Sequence, residues 1–452
     1  MISVLNHLLP LNGNKQIIYL LLPVFFVLFS CNATKTTTTT TVVVPVVKPD
    51  IPVPIEDTIV IPPVVIEEPV VKDTIKPIEI KKDYKIAVML PFNVDMYNFN
   101  PFDLQEVNFN KASAMSIEFY QGFQLALDAI KTSEINAEIY VFDTKNDENA
   151  VKKILNSAPF PKVDLIIGPV YNKNLRIAAD FAKKNKIPLI SPLSSSSSIT
   201  ENNTYYYTAN GTADAHHEAL MKHIQQSYPN DTLIIIHDNT PDERAVISNI
   251  KKINTDFYSE SPTHIHEIEA SIDDGLRRIK SQFDSLSTHL VLIPSNNEMY
   301  TTYVLSQLAQ IKTYYPSIVF GMPNWNKFNN INYDYFEWMK VHLTESYWVN
   351  ESNLDVINFE QAYYIHNHIK PSEYAFQGYD LANYVLAYIA HNRDQLTNEK
   401  ERFFTVDEWD QGLQTKFFFV PRENSTNSKI DYWDNSYIHI VKFENYKYNK
   451  VD

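Results

Sequence analysis

Four short apolar runs, KIAVMLPF (85–92), AEIYVFDTKND (137–147, ending in a polar turn), VDLIIGPV (163–170) and KIPLISP (186–192), alternate with stretches of helical periodicity. That alternation leaves the chain few folds. In SIEFYQGFQLALDAIK (116–131), Phe119, Phe123, Leu125, Ala126 and Ile130 fall near one helical face. ENAVKKILNSA and NKNLRIAADFAKKNK (172–186) read as helices too. Near-continuous apolar strands between helices mark a parallel sheet covered on both faces. A second set follows. HHEALMKHIQQS and DERAVISNIKKINTDF are helical, and DTLIIIHD (231–238), THIHEIEA (263–270), THLVLIPS (288–295) and PSIVFGMP (316–323) are strands, with helices expected at 273–285 and 297–315. Two helix-like stretches, INFEQAYYIHNHI and YAFQGYDLANYVLAYIAHN, and a strand-rich tail end the chain. Two α/β lobes of similar size are therefore expected.

Glycine usage narrows the function before any motif is sought. The 452 residues hold eight glycines: Gly13, Gly122, Gly168, Gly211, Gly275, Gly321, Gly378 and Gly412. A usual share is about 7%. No two are close together, so a P-loop, a dinucleotide fingerprint and a nucleophile elbow are all excluded, since each needs glycines at short spacing. The formal charge is −15, and Lys15 is the only charged residue in the first 30, so the remainder carries −16. An acidic surface without a dense basic stretch repels phosphate backbones and argues against nucleic acid as a partner. His264 and His266 share one face of a strand but have no identifiable third ligand. No catalytic triad or paired-carboxylate spacing is legible. No enzyme, metal or cofactor is expected.

The single cysteine, Cys31, permits no internal disulfide and no thiolate metal cluster. Lys15 precedes the apolar run Ile17–Phe29, which is shorter than the roughly 20 residues a membrane span needs but suits a secretory h-region. The following L-F-S-C resembles a bacterial lipobox, although Phe29 is larger than the residue usual there. The resemblance implies cleavage before Cys31 and a lipid on its sulfur. The residues after it, NATKTTTTTT, lack both an aspartate resembling a retention signal and an acidic run resembling an export signal. The periplasmic face of the outer membrane is therefore the expected location. From Thr34 to about Lys82 the chain is rich in Thr, then in Pro and Val, without glycine. Such a segment is extended and stiff, and prolines forbid regular strand pairing. At roughly 3.1 Å per residue it reaches on the order of 150 Å, as a tether would.

Taken in order, IEFYQGFQLALDAI, VFDTKNDENA, LIIGPVYNKNLRIAADFAKKNKIPLISPLSSSSSIT and YYYTANGTADAHHEALMKHI resemble the first half of a type I periplasmic binding protein. YAFQGYDLANYVLAYI resembles that family's helix in which a Tyr-Asp pair precedes an apolar run. FFFVPRENSTNSKIDYWDNSYIHIVKF is similar to its closing hairpin. The family includes leucine and branched-chain amino-acid receptors and outer-membrane lipoproteins that regulate peptidoglycan synthases. The resemblance implies an α/β fold of two doubly wound parallel-sheet lobes, with a hinge and an interlobe cleft, after a disordered tether. The expected organisation is a lipoprotein signal peptide at 1–30 and the lipidated cysteine with its tether at 31–82. Residues 83–207 with 345–411 are expected to form the first lobe, and 208–344 with 412–452 the second.

In a doubly wound sheet, ligands meet the carboxyl ends of the strands. Gly168-Pro169-Val170-Tyr171-Asn172 leads from such an end into a helix, whose free N–H groups suit a carboxylate. Aligned with the amino-acid receptors, Asn172, Ser194 and Ser195 occupy the positions that hold the ligand's carboxylate and amino group, with Tyr171 beside them. The alternative is that these residues only cap helices and fill a turn. In the second lobe, FGMPNW has Asn324 where the amino-acid receptors carry a carboxylate. Glu298 is the candidate substitute, although a glutamate in a first helical turn also simply complements the dipole. Tyr205, Tyr206, Tyr207, Trp325, Tyr347 and Trp348 either stack on a ligand or pack the hinge.

Two functions follow. One is a non-catalytic envelope lipoprotein that binds a periplasmic protein partner or a cell-wall-related ligand. The other is a receptor for an amino acid, short peptide or amide that feeds an ABC transporter.

Overall fold

The computed structural model describes residues 83–97, 108–130, 136–158, 160–274, 276–284, 287–391 and 411–451. The signal peptide, Cys31 and the tether expected over 1–82 lie outside the described residues. The chain begins with β1 (Asp83–Leu90), α1 (Lys111–Ile130), β2 (Asn136–Asp143), α2 (Glu148–Leu155), β3 (Leu165–Ile167), α3 (Asn172–Asn185), β4 (Leu189–Ser191) and β5 (Tyr206–Thr208). It continues through α4 (Ala213–Ser227), β6 (Leu233–His237), α5 (Pro241–Phe257), β7 (Ile265–Glu269), α6 (Leu276–Lys280), β8 (His289–Leu292), α7 (Glu298–Ile311), β9 (Ser317–Phe320), α8 (Tyr333–Trp338) and β10 (His342–Glu345). The last elements are α9 (Leu354–Asn367), α10 (Glu373–His391), β11 (Phe419–Glu423), β12 (Ile430–Asn435), β13 (His439–Glu444) and β14 (Lys447–Lys450).

These strands form two seven-stranded sheets. The first runs β11-β12-β5-β4-β3-β1-β2 and the second β14-β13-β10-β9-β8-β6-β7. In each, the five strands that come first in sequence are parallel; β11 adds antiparallel at one edge of the first sheet, and the antiparallel hairpin β13–β14 adds to β10 in the second. Both sheets reverse winding direction beside their first strand, and that reversal opens a crevice at the carboxyl ends. The apolar runs account for the sheets: Ile86, Val88 and Leu90 face one side of the first sheet while Ala87 and Met89 face the other, all fully buried. Burial on both faces is why these strands read as continuous runs rather than as alternation.

The second half of the first lobe is held by a close helix crossing. α10 packs along α1, and α9 joins them. A methyl group on Gly122 would lie 1.9 Å from the Ala375 carbonyl, and one on Gly378 would lie 1.9 Å from the Phe119 carbonyl. Two of the eight glycines thus let backbones touch. Phe119 and Phe123 of α1 are buried in one core cluster with Leu381 and Val385 of α10, each contributing about 1.5–3 kcal/mol.

Two expectations are corrected. Residues 412–452 do not all join the second lobe. β12 pairs in parallel with β5, Trp433 opposite Tyr207 and Asp434 opposite Thr208, so β11 and β12 extend the first sheet. The Trp433 ring stacks on Tyr207 at 5.9 Å, which supplies the side-chain reason for that placement. Only β13 and β14 belong to the second sheet, and Thr208 lies in the first. The helix expected at 273–285 is shorter, a 3-10 turn at Ile272–Asp274 and then α6. Within it Ile279 and Phe283 are buried, too few apolar positions to hold a longer amphipathic helix against the core.

The chain passes between the lobes three times, after β5, β10 and β12. At these crossings His216 Nε2 is hydrogen-bonded to Ser346 Oγ (3.0 Å), and Tyr347 donates to the Pro192 carbonyl (3.2 Å). Burial, with the charge of His217 adding to it, holds His216 down at about 3. His216 is therefore a neutral packing group.

Candidate functional site

The loops at the carboxyl ends of β2, β3 and β4 converge on one cavity of about 990 Å³. Val170, Tyr171, Asn172, Lys173, Leu193, Ser194, Ser195 and Ser196 line it, with Asn146 and Asp147 before α2 and Glu148 and Asn149 in its first turn. Gly168 makes the turn out of β3 at φ 88°, where a side chain would strike the Met89 carbonyl at 2.2 Å. The chain then enters α3 with Tyr171 as its N-cap, and the tyrosine supplies no side-chain cap. The first amides of α3, beginning at Asn172, are therefore offered to the cavity with the positive end of the helix behind them. Lys173 adds a positive charge at the same place. An anionic group is the chemistry this end of the cavity suits.

The serine run is pinned, not slack. Ser194 is buried and donates to Asn172 Oδ1 (2.8 Å), while the Ser196 amide donates to Ser194 Oγ (3.3 Å). Thr208 Oγ1 donates to the Ser194 carbonyl (2.8 Å), and Asn210 Nδ2 to the Leu193 carbonyl (2.9 Å). Ser195 and Asn172 stay exposed, as does Tyr171 at 37%. Asn172, Ser194, Ser195 and Tyr171 are thus brought to one wall. Asp147 caps its own helix through the Ala150 amide (2.7 Å) and so is occupied.

Glu298 and Asn324 are not among the residues lining this cavity. Glu298 opens α7 and accepts the Asn330 amide at 2.5 Å, tying down a loop of its own lobe. Asn324 is exposed in the 3-10 turn Pro323–Lys327. Beside it Trp325 is fully buried and donates Nε1 to the Ser295 carbonyl (2.8 Å), so it packs the core and cannot stack on a ligand. Tyr205, Tyr206 and Tyr207 are likewise buried at β5. His264 and His266 pair with Thr232 and Gln282, and no group of three metal-ligating side chains occurs among the described residues.

An acid that sequence reading passed over stands beside the same turn. Glu345, at the end of β10, accepts Asn326 Nδ2 at 2.7 Å. Burial pushes it up to about 8 against the pull of Lys327, and the charge of Glu373 on α10 of the first lobe adds to the push. Its signal was available: a carboxyl at the carboxyl end of a strand, the rule that also selected Asn172. The folded protein keeps this proton up to about pH 8, whereas an ordinary glutamate releases it near 4.5. Stability therefore falls as pH rises through that window. Glu345→Gln cannot ionise and is expected to be more stable than the parent by about 1–2 kcal/mol at pH 8.5, with no gain at pH 4.5. Thermal melts at the two pH values measure this, and equal shifts at both would refute the assignment.

A family model described as the receptor family ligand binding region matches residues 119–312. No curated protein matches the chain. Among solved structures, a protein of Rhodospirillum rubrum provisionally assigned as a branched-chain amino acid ABC transporter is 14% identical, with a TM-score of 0.58, over 82% of this chain and 100% of that one. An ABC transporter substrate-binding protein from Desulfitobacterium hafniense is 11% identical with a TM-score of 0.52, again over 82% and 100%. A branched-chain amino acid ABC transporter periplasmic ligand-binding protein from Burkholderia xenovorans is 10% identical with a TM-score of 0.50, over 82% of this chain and 94% of that one. At these identities the likeness is one of fold.

Proposed function

We propose, from the premise that this chain has the type I periplasmic-binding-protein-like fold, that it is a non-catalytic binding module of the cell envelope. In this reading Cys31 carries a lipid that holds the chain at the periplasmic face of the outer membrane, and residues 31–82 give it reach. The domain binds a periplasmic protein partner or a cell-wall-related ligand that presents a carboxylate to the open end of α3. One observation carries the reading. The open first turn of α3 and Lys173 favour an anion at one wall of the cavity, whereas Glu298 is occupied by Asn330 and position 324 is an asparagine. Half of an amino-acid cradle is present.

A second reading, a receptor for an amino acid, short peptide or amide that feeds an ABC transporter, draws support from Glu345. An ammonium group placed beside it would draw off its proton, so binding would release a proton near neutral pH.

Thermal shift separates the two. With free amino acids at millimolar concentration the midpoint is expected to stay in place, whereas a carboxylate-bearing muropeptide raises it by several degrees. That rise is expected to vanish in Ser194→Ala. A shift of several degrees with a free amino acid, lost in Glu345→Gln, overturns the first reading in favour of the second.

A further inference from the structure

A second cavity lies beside the third crossing, where the chain passes from β12 to β13. Ser436, Tyr437 and Ile438 of that crossing line it, with α4, α5 and β13 on the side of the second lobe and Phe418 and Val420 on the side of the first. Its volume is about 680 Å³, which lies within the range of small-molecule sites. The floor is apolar, and Ile253, Ile438 and Ile440 are buried there. Phe257 and Phe418 stand at the rim, 65% and 36% exposed. Large rings left in water around a concave apolar floor mark an interaction site.

The charge around this cavity is opposite to that of the whole protein, which is −15. Lys222 lines it from α4 and is exposed. Tyr437, also in the lining, brings two more ammonium groups. Lys450 donates to its hydroxyl (2.9 Å), and the Lys416 ammonium lies 5.3 Å from its ring centre. Among the described residues that line the cavity, Glu218 is the one carboxylate, and Arg422 holds both of its oxygens at 2.5 and 3.0 Å. Its charge is thereby offset, and the three lysines set the field at the mouth.

We propose that this cavity binds an anionic amphiphile, a single alkyl or acyl chain ending in a carboxylate or a phosphate, at a site separate from the cavity at α3. The chain lies over Ile253, Ile438 and Ile440 and leaves water there. The head meets Lys222 and the two lysines at Tyr437. Charge decides between occupants. A neutral apolar molecule leaves the ammonium groups unused, and a cationic head meets three like charges. The walls come from both lobes and include the third crossing, so an occupant also bears on the hinge, next to the Arg422–Glu218 pair.

Fluorescence titration of the full chain with dansyl-labelled undecanoate tests this. The dye's emission is expected to rise and shift to the blue, saturating at sub-millimolar concentration. Decanoate, decyl phosphate or both should displace it, and the tighter head identifies the source as a fatty acid or a phosphorylated lipid. Decyltrimethylammonium, with the same chain length, should displace it at least ~10-fold less well. Ala219→Trp puts an indole into the cavity and should abolish the signal. Lys222→Glu combined with Lys416→Glu should weaken decanoate and decyl phosphate at least ~10-fold. This second variant alters only side chains outside the core, so its unfolding midpoint should stay near that of the parent. A dye that does not respond, or that neither anion displaces, overturns the proposal, as does unchanged affinity in either variant. Equal displacement by the cation and the anions overturns it too, and marks the cavity as an apolar docking face for a protein.

Discussion

Asp380→Asn is expected to lower the unfolding midpoint by roughly 2–5 °C and to loosen the segments that cross between the lobes. Asp380 is fully buried on α10 and accepts three backbone amides: Leu413 at Oδ1 (2.8 Å), then Gln414 (2.8 Å) and Thr415 (3.0 Å) at Oδ2. Burial draws its pKa up to about 7, while those three donors oppose the shift. The segment it holds is itself a tie. The Gln414 carbonyl accepts the Trp348 amide (2.9 Å) and His439 Nε2 (3.0 Å), so it joins the crossing after β10 to the one after β12. An asparagine must present an amide nitrogen where a carboxylate oxygen stood. At least one donor then faces a donor, at a cost of about 1–3 kcal/mol per unsatisfied group. Hydrogen exchange should show faster opening at Leu413, Gln414, Thr415 and Trp348 before the rest of the first lobe. A variant that melts with the parent, with those amides equally protected, would show that Asp380 does not hold the hinge.

The same stretch shows what a sequence can disclose. FQGYD is legible as a helix from its periodicity, but the use of its residues is tertiary. Gly378 is needed because α1 lies across it, and Asp380 because a distant loop offers three amides. The parallel strands are legible because burial on both faces forces apolar runs. The tail is not. β11 to β14 carry similar alternation, and nothing local says that β12 will add to β5 while β13 crosses to β10; stacking of Trp433 on Tyr207 decides it. At the cavity, Asn172 and Ser194 are found by topology alone, since strand ends and helix starts face the crevice. Glu298 has the same local signature, and only its contact with Asn330, 32 residues away, takes it out of use. Glu345 was legible by position at a strand end, but its burial and its partners Asn326, Lys327 and Glu373, which lie on separate elements, were not.

Arg422→Met is expected to be among the most disruptive single changes away from the core, costing about 3–5 kcal/mol. Arg422 stands on β11 of the first lobe and grips Glu218 on α4 with both terminal nitrogens, at 2.5 and 3.0 Å. α4 packs on α5, β10 and β13, so this pair spans the lobes. Its Nε donates to Asp434 Oδ2 (2.9 Å), and Asp434, fully buried, also accepts the Thr212 hydroxyl (2.6 Å) and amide (3.0 Å) at the first crossing. Burial alone would lower the Arg422 pKa, but the Glu218 hydrogen bonds and the charges of Asp434 and Glu218 raise it instead. Methionine fills the space of the side chain and removes the charge. Asp434 is then left buried with neutral donors only, whereas Glu218, more exposed at 27%, can turn to water. The unequal burial predicts unequal losses. Glu218→Gln should cost about 1 kcal/mol or less, and Arg422→Met combined with Asp434→Asn should recover part of the Arg422→Met loss. Denaturant melts of the parent, Glu218→Gln, Arg422→Met, Asp434→Asn and the double variant measure the cycle. If Glu218→Gln is as damaging as Arg422→Met, the interlobe bond rather than the buried carboxylate sets the energetics, and the strut acts as the latch that fixes the angle between the lobes.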